Sequence, residues 1–185
     1  KIALHGAELL LKPAWGQPAK VGRRKGATTL RRNASYFIQD HLAVLSAALE
    51  KDLRVGLQAD SSACKLLDRD LRKAVVQGVP PSFGNEGARA QYAMERMPSR
   101  VGHVFDALLS QHRAARHLCA ELFEAGRPHI SVASVGGGPG FDSVALELVA
   151  AFLGSGTRLL QTVYEREAGW VGPLQGIDDH LSQCL

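Results

Sequence analysis

The sequence predicts an α/β protein in which a helical region precedes a βαβ unit of a parallel sheet. Three observations carry that prediction. Apolar side chains recur at helical spacing between residues 34 and 128. At His129 the pattern shortens into "HISVASV", a run rich in β-branched residues. Four glycines, Gly136, Gly137, Gly138 and Gly140, then separate this run from a further helical pattern and a second strand. The chain thus divides into a basic tail (1–33), a helical region (34–128) and the start of a sheet-containing domain (129–185).

The 185 residues, 45% of them hydrophobic, suffice for one ordinary core. No uninterrupted run of about 18 apolar residues occurs, so a membrane span is not expected. Cys64, Cys119 and Cys184 stand far apart without a CxxC pair, which favours a reducing compartment over a disulfide framework or a zinc site. An intracellular protein of the cytoplasm or nucleus is expected, with organelle targeting through the tail as the alternative. The net charge of +4 is uneven: residues 1–32 hold eight Lys or Arg against Glu8, leaving the remainder at −3. The stretch "KVGRRKGATTLRR" could touch RNA phosphates, but Trp15 is the only aromatic residue of the basic tail, and a solvated arm is the favoured reading.

In chain order, Phe37, Ile38, Leu42, Leu45, Leu49 and Leu53 define one face of a helix over Ser35–Leu53. Asp60 or Ser61 can cap a second helix, carrying Cys64, Leu67, Leu71, Val75 and Val76, which ends at Gly78 and Pro80-Pro81. A third runs from Glu86 to Met97 and stops at Pro98. Ser99 opens a fourth, whose stripe of Val101, Val104, Phe105, Leu108, Leu109, Ala115, Leu118, Leu122 and Phe123 extends to Gly126. After the strand "HISVASV" and the glycines, "FDSVALELVAAFLGSG" reads as a helix ending at Gly154 or Gly156, and "TRLLQTVYERE" supplies the second strand. A right-handed crossover is expected for such a unit.

A turn needing only tightness can manage with one glycine. Four suggest a backbone that a ligand approaches closely, at a helix start whose N–H groups favour an anionic or polar group. The phosphate-binding P-loop needs a lysine that is absent. The dinucleotide pattern GxGxxG meets Phe141 in one register and Ser143 in the other. GxGxG is satisfied by Gly136, Gly138 and Gly140.

Over "VASVGGGPGFDSVAL" the chain resembles the class I S-adenosylmethionine-dependent methyltransferases, whose Rossmann-like fold carries this loop as its first motif. The resemblance covers Ile130 to Trp170. It implies S-adenosylmethionine as cofactor, with the loop including Gly137 against the methionine portion and an acid at the next strand end on the ribose. Glu165 fills that place, and Glu167, two residues on and on the same side of an extended strand, is the alternative. Ser134 stands where many members carry an acid; it offers a hydrogen bond but no carboxylate. Asp142 either compensates for that acid or serves as a helix cap or first-turn acid, the more ordinary use.

Class I domains continue through further strands, so the sheet is expected to be incomplete in this chain, which reads as truncated at its C-terminus. The methyl acceptor and catalytic base are then not identifiable. Two other readings compete: a fragment of an NAD- or FAD-dependent oxidoreductase, and a non-enzymatic helical interaction module with a vestigial cofactor fold. His112 and His117 lack the spacing of a metal site and read as a solvated basic face, so no metal is expected. Tyr92, Met94 and Met97 either wall a cofactor lid or pack in the core, the commoner use.

Overall fold

The computed structural model describes residues 27–59, 69–74, 76–78, 83–110, 113–124 and 128–184. The basic segment "KVGRR", the caps Asp60 and Ser61, Cys64, Leu67 and His112 lie outside them. The protein is mixed helix and strand, mostly helical, with a two-stranded parallel sheet. Among the described residues no helix is long and apolar enough to cross a membrane.

Helix α1 spans Ala27–Ala59, beginning upstream of the expected start at Ser35 and taking in the end of the expected tail. Its apolar face is as read: Ile38, Leu45 and Leu49 are buried, and Phe37, Leu42 and Leu53 pack against them. Residues 69–74 and 76–77 are helical, and Gly78 ends the stretch with φ +67° while its N–H donates to the Ala74 carbonyl at 3.0 Å. Val76, expected on the buried face, is exposed one residue from the helix end.

Helix α2 spans Glu86–Leu108 without interruption, correcting the stop expected at Pro98. Its start is as the sequence suggests: the side chain of Asn85 accepts from the N–H of Ala88 at 3.0 Å. Pro98 lacks an N–H for the Met94 carbonyl, yet it lies on the exposed face, where water can serve that carbonyl. Met97 and Val101 on the opposite face are fully buried, so packing holds the helix through the defect. The long fourth helix is corrected too. The helix ends at Leu108 with Leu109 as its C-cap, and α3 (Arg113–Cys119) runs into a π-helical turn (Ala120–Glu124). Of the expected stripe Phe123 is buried and Leu118 is exposed, while Cys119, outside that stripe, is buried in its place.

Strand β1 (His129–Val135), helix α4 (Phe141–Leu153) and strand β2 (Arg158–Tyr164) form the expected unit. The strands are parallel, with His129 opposite Arg158 and Val135 opposite Tyr164. Ile130, Ser134, Leu159 and Gln161 are buried on one face, whereas His129, Ser131, Ala133 and Val135 of β1 are exposed on the other. Helix α4 ends in a Schellman arrangement. Gly154 takes φ +64°, its N–H donates to Ala151 at 3.0 Å, and that of Ser155 donates to Ala150 at 2.9 Å.

Beyond β2 a short 3-10 turn (Ala168–Trp170) leads into helix α5 (Val171–Cys184), which the sequence reading did not foresee. Leu174, Ile177 and Leu181 line its inner face. Helix α2 packs on both α1 and α4, and α5 packs on α1. The rings of Phe37, Phe105 and Phe152 meet where α1, α2 and α4 join, with centroids 5.3 to 6.2 Å apart. This arrangement leaves the glycine turn at the C-terminal end of the sheet, between β1 and α4.

Candidate functional site

The turn from β1 into α4 uses its four glycines for different reasons. A side chain at Gly137 would collide with Ser134 Oγ and come within 3.0 Å of Val163. One at Gly140 would lie 2.5 Å from Leu174 on α5, and the residue also has φ +79°. Packing therefore accounts for Gly137 and Gly140. Gly136 and Gly138 have φ of +67° and +52°, and nothing lies within 4 Å of where their side chains would project. These two turn an unobstructed backbone outward, as a ligand contact requires.

The N–H groups of the turn have distinct partners. That of Gly136 donates to the Tyr164 carbonyl at 2.7 Å, continuing the pairing one residue past the end of β1, and that of Gly140 donates to Gly137 at 2.9 Å. The N–H of Gly138 donates to the Glu165 carboxylate at 2.8 Å. Glu165 also accepts from the N–H groups of Arg166 at 2.7 Å and Glu167 at 3.3 Å. Three backbone donors thus hold one carboxylate against the middle of the glycine turn. Strand β2 ends at Tyr164, so Glu165 and Glu167 occupy a bend and the expected strand alternation does not govern them. Glu167 instead turns towards Arg166, at 3.7 Å.

Ser134 is buried, and its hydroxyl donates to Asp142 Oδ2 at 3.2 Å. Gly140, not Asp142, is the N-cap of α4, and it supplies no side-chain cap. Asp142 is therefore a first-turn acid, steadied by the strand it follows and favourable beside the positive end of the helix. The structure thus brings Gly136, Gly138 and Glu165 together at the open side of the turn. Ser134 and Gly137 lie behind it, and Asp142 lies on the helix start.

An aromatic group flanks this region. Phe141 is buried, its ring stacked on Tyr92 of α2 at 6.2 Å. Tyr92 approaches Trp170 at 5.9 Å and Phe83 at 4.9 Å, and Phe83 reaches Trp170 at 5.3 Å. Arg89 donates to the Phe83 carbonyl at 2.6 Å, and its guanidinium lies where a side chain on Gly169 would project. Tyr92 is thus next to the start of α4 and, like Met94, packs against the core to which Met97 belongs, the commoner use expected for these residues. The parts played by Phe83, Arg89 and Trp170 were not singled out from sequence. They converge from three separate elements, and only the fold juxtaposes them.

A second polar group that sequence reading missed lies between α4 and β2. Gln161 is buried, and its Nε2 donates to Glu147 at 3.3 Å and to the Ser143 carbonyl at 3.4 Å. Burial pushes the Glu147 carboxyl up to about 7, and nearby Asp178 adds to the rise while the Gln161 contact opposes it. Burial raises Asp178 as well, with help from Asp179. The signal was present in "SVALELVAAF", where one carboxylate interrupts an apolar helix, and in "RLLQTVY", where glutamine takes an inner position.

Comparison with protein-family models, with curated proteins and with solved structures finds no match to this chain.

Proposed function

We propose that the chain carries the cofactor-binding part of a Rossmann-like S-adenosylmethionine-dependent methyltransferase, with the glycine turn and Glu165 as the donor site. The observation that supports this most is the hydrogen bond from Gly138 N–H to the Glu165 carboxylate. It joins, at one point, a backbone open to ligand approach and an acid able to accept from a ribose diol. A carboxylate there also bears on ligand charge. It repels a phosphate at Gly138 and attracts a sulfonium, so the local electrostatics favour a nucleoside sulfonium over a dinucleotide's pyrophosphate. Phe141 points the same way, since it packs on Tyr92 where a dinucleotide turn would need a small residue in one register.

In this reading the open faces of Gly136 and Gly138 receive the methionine portion, and Glu165 orients the ribose. S-adenosylmethionine supplies the electrophilic methyl group. The protein contributes alignment of donor and acceptor and exclusion of water.

Isothermal titration of the full chain with S-adenosylhomocysteine and, separately, with NADH tests the assignment. Saturable binding of S-adenosylhomocysteine, with NADH weaker by at least tenfold, is expected. Binding of NADH alone would turn the assignment towards an oxidoreductase, and binding of neither would favour a helical interaction module.

A further inference from the structure

Glu147, Gln161 and Ser143 form a buried group with more acceptors than donors. Glu147 lies in α4 and Gln161 in β2, with 3.3 Å between the carboxylate and the amide nitrogen. Gln161 is only 5% exposed, and its Oε1 has no hydrogen-bond partner; Ser143 Oγ, buried one helical turn before Glu147, has none either. No cation pairs with Glu147 among the described residues. From α5 it faces a second carboxylate, Asp178, with Asp179 beside that. From β2 it meets the neutral Gln161, since Arg158 falls on the alternate face of the strand. Among the described residues, no charged group of α1 or α2 contributes to its electrostatic surroundings. A buried carboxylate with one neutral donor and a like charge nearby is costly, and the missing element is a single proton.

We propose that this group is a proton-operated joint: protonation of Glu147 seats α4 on β2, and ionisation loosens that seating. In the protonated state Glu147 becomes a donor and can serve one of the two partnerless buried oxygens, Gln161 Oε1 or Ser143 Oγ. In the ionised state Glu147 can only accept, so Gln161 Oε1 remains unserved, and the carboxylate and Asp178 repel each other. The joint acts on the two elements that carry the glycine turn, because Gly140 caps α4 and Glu165 directly follows β2. It stands whatever ligand the turn receives, and its test needs none.

The direction with pH follows from proton uptake. Glu147 holds its proton in the folded chain up to about 7, whereas in the unfolded chain it releases it near 4.5. Stability from this group is fully present below about 4.5 and is lost as pH rises to about 7. Urea unfolding of the full chain at a series of pH values measures this. Over that window the wild-type unfolding constant is expected to rise by an extra factor approaching about tenfold per pH unit relative to Glu147→Gln. Asp178→Asn, which removes the facing charge, is expected to move the wild-type transition to lower pH, and it provides the test if Glu147→Gln does not fold. The amide resonance of Gly138 is expected to shift with the same midpoint in the wild type. Equal pH slopes for wild type and Glu147→Gln, or an unmoved transition in Asp178→Asn, would overturn the joint. A Gly138 amide indifferent to pH in this window would overturn its reach to the turn.

Discussion

Glu165 and the glycines around it respond to substitution in separable ways, because some serve packing and others face open space. Glu165→Ala removes a carboxylate held by three backbone N–H groups but takes nothing from the core. Hydrogen bonds to a charged group contribute about 1.5–3 kcal/mol, so affinity for S-adenosylhomocysteine should fall roughly ten- to a hundredfold, as calorimetry would read. Gly138→Ala places a methyl group where a ligand would lie and strains a residue at φ +52° by about 1 kcal/mol; binding should weaken more than stability does. Gly140→Ala should do the reverse, since its side chain would meet Leu174. Urea denaturation should show a loss of at least about 2 kcal/mol, from strain and overpacking together. At this scale the glycine turn and the acid that meets it were legible as positions, because spacing and residue type mark them locally. Glu147, Gln161 and Ser143 were overlooked because they become a group only when α4 covers β2.

Among the elements, β1 and α4 were legible almost to the residue, whereas β2 ends at Tyr164, three residues short of the expected "TRLLQTVYERE". β-branched composition marked β1, the four glycines marked the turn, and of the two glycine stops expected for α4, Gly154 and Gly156, the structure uses Gly154. Helix α5 was not legible, because Gly172, Pro173 and Gly176 weaken its helical signal. Pro173 falls in the first turn, where the lost N–H has no helical partner in any case, and Leu174, Ile177 and Leu181 gain their meaning by facing the core. Pro98 misled in the opposite direction: proline usually ends a helix, but here burial of Met97 and Val101 carries α2 through it. Replacing this exposed proline tests that account. Pro98→Ala restores a donor to the Met94 carbonyl and removes a steric defect, so α2 should be stabilised by roughly 1–3 kcal/mol, seen as a higher denaturation midpoint.

For the molecule as a whole, the aromatic junction of Phe37, Phe105 and Phe152 is the place where three helices depend on one another. Phe105 is fully buried there, and Phe105→Ala should cost about 3–5 kcal/mol in denaturant unfolding. A loss below 1 kcal/mol would mean that the helices do not share this core. The raised Glu147 carboxyl makes the whole fold sensitive to pH. A rise from 4.5 to about 7 amounts to a contribution of about 3 kcal/mol from this one group, present on the acid side of that window and lost as pH rises through it. The junction and the proton both act behind the glycine turn, so the central claim, that the turn and Glu165 receive S-adenosylmethionine, is best tested at the turn itself. Amide chemical-shift mapping of the isotope-labelled chain with added S-adenosylhomocysteine does this directly. The account predicts saturable shifts concentrated at Gly136, Gly138 and Glu165 to Glu167, and their loss in Glu165→Ala. Saturable shifts centred elsewhere, or none at millimolar ligand, would contradict it.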